Sequence, residues 1–124
     1  MQSDTPLPVS ESDPEMTAAI QEARSTLSLF FDAFEFPSAT QKHFLLKLAF
    51  DGPVGEIEHI WIADLDLSTS PAAGVIANEP VIPNFQYLQK VTLDPSRITD
   101  WMFYEGDNVI GAFTTKLLQK RVGN

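Results

Sequence analysis

Two histidines, several carboxylates and one aspartate beside a tryptophan are the side chains whose types could support chemistry in this chain of 124 residues. Imidazole and carboxylate together are typical zinc ligands, and positioned carboxylates can transfer protons. The chain contains no cysteine. That absence excludes a disulfide framework, thiolate metal sites and cysteine nucleophiles.

A metal site is not expected from the spacing of these groups. Zinc usually takes three or four His, Cys or carboxylate ligands. The two histidines, His43 and His59, could reach that number with Asp64 or Asp66 only if the register of a hairpin placed them together. The side chains of His59 and its neighbour Glu58 point to opposite faces of a strand, so they cannot act as a pair. We therefore expect no metal and no other cofactor.

Catalysis has few candidate groups in this sequence. No serine-nucleophile motif, HExxH, phosphate-binding glycine loop or EF-hand spacing occurs. Asp64 and Asp66 share a predicted strand face at about 6.6 Å, a separation suited to acid–base work. An acidic strand face is usually only solvated, however. We assign no catalytic residue and favour a protein that is not an enzyme.

The segment RITDWMFYEGDNVIGAFTTKLL concentrates the remaining polar and aromatic groups. Asp100 can accept a hydrogen bond from a backbone N–H or pair with Arg97, and Trp101 buries a large surface with one N–H to satisfy. Such a combination is typical of a folded corner, here a helical turn over Arg97–Trp101. The candidate binding residues are six side chains from this corner and from the strands before it: His59, Trp61, Asn78, Asp100, Trp101 and Tyr104.

A long amphipathic helix should open the folded part of the chain. Asp13 is an N-cap acceptor followed by Pro14 at the first helical position, and Pro37 ends the helix. Apolar residues between them recur at steps of three and four and form one face: Met16, Ile20, Ala23, Leu27, Phe30, Phe31 and Phe34.

Alternating apolar and polar residues predict two long strands, 42–50 and 56–67, joined as an antiparallel hairpin by the turn DGPVGE. Shorter strands are expected at 74–78, 87–93 and 102–104, and a final helix from Ile110 onward. One face of the second strand should carry these residues: Ile57, His59, Trp61, Ala63, Leu65 and Leu67.

This order of elements predicts an α+β fold. It consists of a twisted antiparallel sheet of about five strands, flanked by an N-terminal and a C-terminal helix. Residues 1–12, rich in Pro, Ser and acidic side chains, are expected to be a disordered tail. Residues 13–124 are expected to be a single domain.

The charge of the chain limits its partners. Eight Lys and Arg against 17 Asp and Glu give a net charge of −9. Nucleic acid and anionic membranes are therefore not expected to bind, whereas a basic protein would be attracted. No apolar run reaches the ~18 residues of a membrane span, and the N-terminus has no signal-peptide pattern. A cytoplasmic location is expected, although a chain whose signal had been removed would look the same.

LDPSRITDWMFYEGDNVIGAFTTKLL resembles the final part of a bacterial family, domain of unknown function 2314 or the YegJ-like proteins. The matching residues are Ile98, Asp100, Trp101, Met102, Gly111 and Thr114, whereas Phe103, Ala112 and Phe113 replace Tyr, Gly and Tyr of the family pattern. EHIWI at 58–62 and GVIANEP at 74–80 are similar to two further blocks of that family. The resemblance extends over residues 40–120.

The resemblance implies an uncharacterised bacterial protein. Family members occur alone and also joined to ankyrin-type repeats, which favours a binding or accessory module. Our leading hypothesis is a non-catalytic protein-binding domain, in one version an immunity-type protein that plugs a basic toxin. The alternative is a small-molecule or metal-assisted enzyme with a pocket near Asp100 and Trp101. A third is a homo-oligomer, formed through an open sheet edge or the phenylalanine face of the first helix.

Overall fold

The computed structural model describes residues 13–123, which form one antiparallel sheet and three α-helices. The helices are α1 (Pro14–Ser25), α2 (Leu27–Glu35) and α3 (Phe113–Gly123). The strands are β1 (Gln41–Asp51), β2 (Ile57–Asp66), β3 (Ala73–Ile76), β4 (Lys90–Thr92), β5 (Ile98–Glu105) and β6 (Asn108–Gly111), in the spatial order β4-β3-β2-β1-β5-β6. The predicted α+β class is confirmed, with six strands instead of about five. The tail predicted at residues 1–12 lies outside the described residues.

The core lies between the sheet and the first two helices. Phe30 of α2 is fully buried, and its ring centroid lies 5.8 Å from that of Phe44 in β1 and 6.0 Å from that of Trp101 in β5. Each buried side chain of this size contributes about 1.5–3 kcal/mol. We call this side of the sheet the helix face and the other side the opposite face. The strands bury these residues on the helix face: Leu46, Leu48, Ile60, Ile62, Ile76, Ile98, Trp101 and Phe103.

The single N-terminal helix of the prediction is divided at Thr26. α1 begins as expected, with the Asp13 carboxylate accepting from the Met16 N–H at 3.1 Å. Thr26 has φ −110° and ψ 11°, and its hydroxyl donates to the Glu22 carbonyl at 2.7 Å. The same hydroxyl accepts the indole N–H of Trp101 at 3.1 Å. The break therefore places a polar group where the buried indole needs a partner.

α3 packs against α1 and β5. Arg121 near the end of α3 donates to both carboxylate oxygens of Asp13 at 2.8 Å and to Glu15 at 3.2 Å. The pKa of Asp13 is lowered to about 2. The hydrogen bond from Arg121 is the largest cause, and the hydrogen bond from the Met16 N–H is the next. Two parallel N–H···O bonds between an arginine and a carboxylate restrict the relative orientation of the two side chains in addition to their electrostatic attraction. They connect the first and last helices of the structure.

A bulge changes which residues of β2 share a face. Asp64 has φ +46°, and the pairing of β2 with β3 shifts around it. Beyond Asp64, Leu65 and Leu67 pack against the core on the helix face. The prediction that they share a face with His59 and Trp61 is therefore wrong, because an extra residue in a strand reverses the alternation that follows it.

The start of β5 also differs from its prediction. A helical turn was expected over Arg97–Trp101, but a 3₁₀ helix occupies Pro95–Arg97, with Asp94 as its cap. β5 then begins at Ile98 and pairs with β1. Trp101 therefore lies within a strand that is paired on both sides, with β1 and with β6. The packing of such a strand outweighs a local turn signal.

Two more predictions in the second half are wrong. The strand expected over Tyr87–Leu93 is limited to β4, because Leu88 has φ +70°, which an extended strand residue does not adopt. β6 was not predicted. The turn at Gly106 and Asp107 returns the chain beside β5, so α3 begins at Phe113 and not at Ile110.

Candidate functional site

A group of polar side chains lies on the opposite face, where β1, β2 and β5 are adjacent. Lys47 of β1 is paired in register with Trp61 of β2 and Asp100 of β5. Its ammonium lies 5.1 Å from the centroid of the Trp61 ring and 3.0 Å from the hydroxyl of Thr114 in α3. We call the following six residues the polar cluster: Lys47, His59, Trp61, Thr99, Asp100 and Thr114.

Asp100 holds the start of α3. Its side chain is fully buried, and one carboxylate oxygen accepts the backbone N–H of Trp101 at 2.8 Å and that of Phe113 at 3.1 Å. The other oxygen accepts the N–H of Thr114 at 2.9 Å and its hydroxyl at 2.5 Å. The first N–H groups of a helix have no partner within the helix, and a negative charge there is favoured by the helix dipole. Asp100 therefore caps α3.

Arg97 is not the partner of Asp100 in this structure. Its guanidinium donates to the carbonyl of Ala49 at 3.0 Å and to the carboxylate of Asp51 at 2.9 Å. Of the two predicted partners of Asp100, the backbone N–H is therefore the one observed.

A bulge in β5 brings Thr99 and Asp100 to the same face. Ile98 and Asp100 pair with consecutive residues of β1, so Thr99 is the extra residue. The hydroxyl of Thr99 lies 3.0 Å from Nδ1 of His59 and donates to the carbonyl of Lys47 at 3.4 Å. Because of the bulge, two consecutive residues of β5 contact different members of the polar cluster: Thr99 contacts His59, and Asp100 contacts Thr114.

His59 is held as a neutral imidazole at neutral pH. Burial lowers the pKa of His59 to about 4, and the positive charges of Lys47 and Arg97 contribute further. Its Nε2 is buried and has no hydrogen-bond partner among the described residues. The partly buried ring of His59 therefore lies near charged neighbours while it is itself uncharged.

Lys47 is the positive group of the cluster. Burial lowers the pKa of Lys47, and the negative charge of Asp100 opposes that shift. A cation over an indole ring contributes about 0.5–2 kcal/mol. The Thr114 hydroxyl accepts from Lys47 and donates to Asp100, so it connects the two charges.

The side chains of the other candidate residues are not part of this cluster. Trp101 faces the helices, is 1% exposed and donates its indole N–H to the Ala23 carbonyl at 3.1 Å. Asn78 follows the end of β3, and its side-chain oxygen accepts the backbone N–H of Trp61 at 2.8 Å. Tyr104 lies further along β5, with its ring centroid 5.5 Å from that of His43.

The structure thus brings together three of the six candidates, His59, Trp61 and Asp100, and the role of all six in binding stays a prediction. Sequence reasoning missed Lys47, Thr99 and Thr114. A lysine at the centre of the apolar run HFLLKLAF was the available signal for Lys47. The other two depend on a bulge and a helix start that no short-range pattern specifies.

A second surface is formed by α2, which leaves large apolar side chains open to solvent. Leu29 is 59% exposed, Phe31 36% and Phe36, at the end of the helix, 80%. The acidic Asp32 and Glu35 are exposed on the same helix, whose sequence LSLFFDAFE contains no basic residue. Apolar and negative groups are therefore adjacent on this surface.

Within residues 13–123, no group of three or more His, Asp or Glu side chains is arranged to hold a metal ion. None of the helices in this part of the chain is long and apolar enough to cross a membrane.

Residues 13–124 match the model of the family described as an uncharacterized protein conserved in bacteria, DUF2314. The chain belongs to the DUF2314 family. It is 30% identical over 103 residues to the uncharacterized protein YegJ of Escherichia coli (strain K12), and the match covers 80% of this chain. The same match covers 63% of YegJ, so the chain spans less than two thirds of that curated relative. No solved structure matches the chain.

Membership of DUF2314 confirms the resemblance given by the sequence. The three blocks that carry it meet at or beside the polar cluster. One block supplies His59 and Trp61, the next supplies Asn78 on the backbone of Trp61, and the last supplies Asp100 and Thr114. The DUF2314 motifs are thus far apart in sequence and adjacent in space.

Proposed function

We propose that this DUF2314 domain is a non-catalytic module that binds a basic protein. The observation that carries the proposal is the surface of α2, where large apolar side chains are exposed beside carboxylates. Exposed apolar groups bordered by polar ones are typical of protein interaction sites. An immunity-type role, in which the domain covers the basic surface of a toxin, is one form of this proposal.

The net charge of −9 supports a basic partner. Opposite charge accelerates the encounter of two proteins, and this acceleration falls as salt screens the charges. Acidic proteins and nucleic acids are repelled by the same field. The charge therefore contributes selectivity, while the apolar side chains supply contact area.

The environment of Asp100 and Trp101 supports binding over the enzyme alternative. Their side chains are 0% and 1% exposed. Their polar atoms are hydrogen-bonded to the start of α3 and to the junction of α1 and α2. A substrate would reach either side chain only by displacing a helix, whereas a catalytic group needs access to the reacting atoms.

The test is capture of a partner by the immobilised full chain, with an unrelated acidic protein of the same net charge as the control. We expect a specifically captured protein that is basic, is recovered with unchanged mass, and is released as salt increases from low to physiological concentration and above. Capture of the same proteins by the control would contradict the proposal. A change in the mass of the captured protein would favour an enzyme.

A further inference from the structure

We propose that a groove along α2 takes a segment of the basic partner, with apolar side chains at one end and lysine or arginine at the other. We call it the α2 groove. This inference rests on the proposed function and adds where the partner binds and which side chains it presents.

The α2 groove exists because the helices cover only part of the helix face. α1 and α2 pack over β5, which is next to the edge strand β6, so the β4 side of the sheet is less covered. α2 forms one wall of the groove, and the turn between β2 and β3 together with the segment before β5 forms the other. Two open cavities, of about 590 and 490 Å³, share Phe31 and Leu67 as lining residues. They are therefore two ends of one groove.

The larger end of the α2 groove is apolar. Its lining among the described residues contains no charged side chain. Leu46 and Ile98, which are 1% and 3% exposed, belong both to this lining and to the buried core. Pro71 and Pro95 stand in the far wall, where their fixed φ limits backbone movement. An apolar side chain entering here would touch the core and gain about 25 cal/mol per Å² of buried apolar surface.

The smaller end of the α2 groove is acidic. Glu35 and Asp66 are the charged side chains that line it, and both are exposed. The Asp66 carboxylate accepts the N–H of Ser68 at 3.0 Å and its hydroxyl at 2.6 Å, and these hydrogen bonds lower its pKa. Asp66 is therefore ionised and fixed in position. A cationic side chain that lies between the two carboxylates would be attracted to both.

Charge complementarity decides between the occupants that this groove could take. Residues 1–12 contain Asp4 and Glu11 and no basic side chain. A second copy of the chain also carries a net charge of −9. Both would bring negative charge to Glu35 and Asp66. A basic segment with apolar side chains is attracted to both ends of the groove.

The experiment selects binders from a random peptide library displayed on phage, with the full chain as target. We expect enriched peptides that combine Leu, Ile, Met or Phe with Lys or Arg. An enriched peptide should bind Phe31→Ser at least about tenfold more weakly, the loss expected of a central apolar contact. The double variant with Glu35→Lys and Asp66→Lys should bind the same peptide several-fold more weakly. For a peptide whose basic residues have been changed to Gln, the same double variant should weaken binding much less.

The controls match each substitution outside the α2 groove. Leu118→Ser removes a 43% exposed apolar side chain from α3, outside the α2 surface, and Asp107→Lys reverses a charge in the turn before β6. Both should bind within about twofold of the unchanged protein, as surface changes outside a contact do. Because Glu35 and Asp66 are exposed, the charge-reversal pair tests the groove even if Phe31→Ser unfolds.

Several outcomes would overturn the inference. One is enrichment of peptides without basic residues, and another is equal loss of binding in Phe31→Ser and Leu118→Ser. Stronger peptide binding after removal of residues 1–12 would assign the groove to those residues. A dimer that dissociates on Phe31→Ser would assign it to a second copy. If the captured basic protein still binds both groove variants, this inference fails while the proposed function stands. If no basic protein is captured, the proposed function itself fails.

Discussion

Gly111 lies so close to Trp101 that a Cβ atom on it would be 2.4 Å from the Trp101 carbonyl oxygen and 2.6 Å from its ring. Gly111 also has φ +85°, a conformation that favours glycine. The next residue, Ala112, donates its N–H to the same Trp101 carbonyl at 2.7 Å. The close approach therefore allows the chain to leave β6 and start α3 against β5.

Gly111→Ala should destabilise the protein by about 3 kcal/mol or more. The added methyl group would clash with the Trp101 backbone, and alanine would be strained at this positive φ. Gly106→Ala is the matched control. Gly106 has φ +60°, but a Cβ there would have no atom within 4 Å. The control should cost about 1 kcal/mol, the strain of φ alone. Equal losses in urea unfolding would show that the contact with Trp101 contributes nothing.

Asp100→Ala should destabilise the protein by about 3–5 kcal/mol, because three backbone N–H groups and one hydroxyl lose a buried charged acceptor. Thr114→Val should cost less, about 1–2 kcal/mol, since the backbone N–H groups keep their acceptor. Hydrogen exchange should show α3 opening more readily than β1 in Asp100→Ala. Asp107→Ala, in the exposed turn, is the control. If it lowered the free energy of unfolding in urea as much as Asp100→Ala does, loss of the α3 cap would not explain the destabilisation.

His59 should make the protein less stable as pH falls from 6.5 to 4. The folded protein holds the pKa of His59 at about 4, below its ordinary 6.5. Above pH 6.5 the ring is neutral in both states. Between the two values only the unfolded state binds the proton, so the free energy of unfolding falls, by up to about 3 kcal/mol.

The measurement that isolates this effect compares the unchanged protein with His59→Gln across that pH range. Carboxylates titrate in both proteins, so their contribution cancels in the difference. The difference in the free energy of unfolding should change between pH 6.5 and 4 and be constant above pH 7. A constant difference over the whole range would refute the lowered pKa.

Lys47→Met should raise the pKa of His59, since it removes a positive charge that disfavours the imidazolium. The value should remain below 6.5, because burial is the larger cause. NMR titration of the His59 ring measures the shift directly, and His43, on the exposed surface, provides an internal reference. A lower or unchanged pKa would mean that the charge of Lys47 does not reach the ring.

The long elements could be predicted from sequence because each carries a repeated local signal. Asp13 and Pro14 mark the start of α1, and alternating apolar and polar residues mark most of β1 and β2, which are 11 and 10 residues long. The break at Thr26 could not be predicted. It depends on the indole of Trp101, 75 positions away in the sequence. Local patterns do not contain such contacts, which arise from tertiary packing.

The candidate site was harder to predict than the fold. Asp100 was identified by type and expected to accept a backbone N–H, but the helix that it caps begins 13 positions later. His59 and Thr99 meet only because β5 contains a bulge beside β1. The α2 groove had no sequence signal, since its two walls come from segments on either side of β1. Residue types indicate what chemistry is available, and the register decides which groups meet.

The paired hydrogen bonds from Arg121 to Asp13 place the two ends of the described chain side by side. A domain whose ends are neighbours can be inserted into a surface loop of another protein without stretching either one. It can also be circularly permuted, with a short linker closing the original ends and new ones opened in an exposed turn such as that at Gly55. The contact between the first and last helices thus makes this fold suitable for insertion into other proteins and for circular permutation.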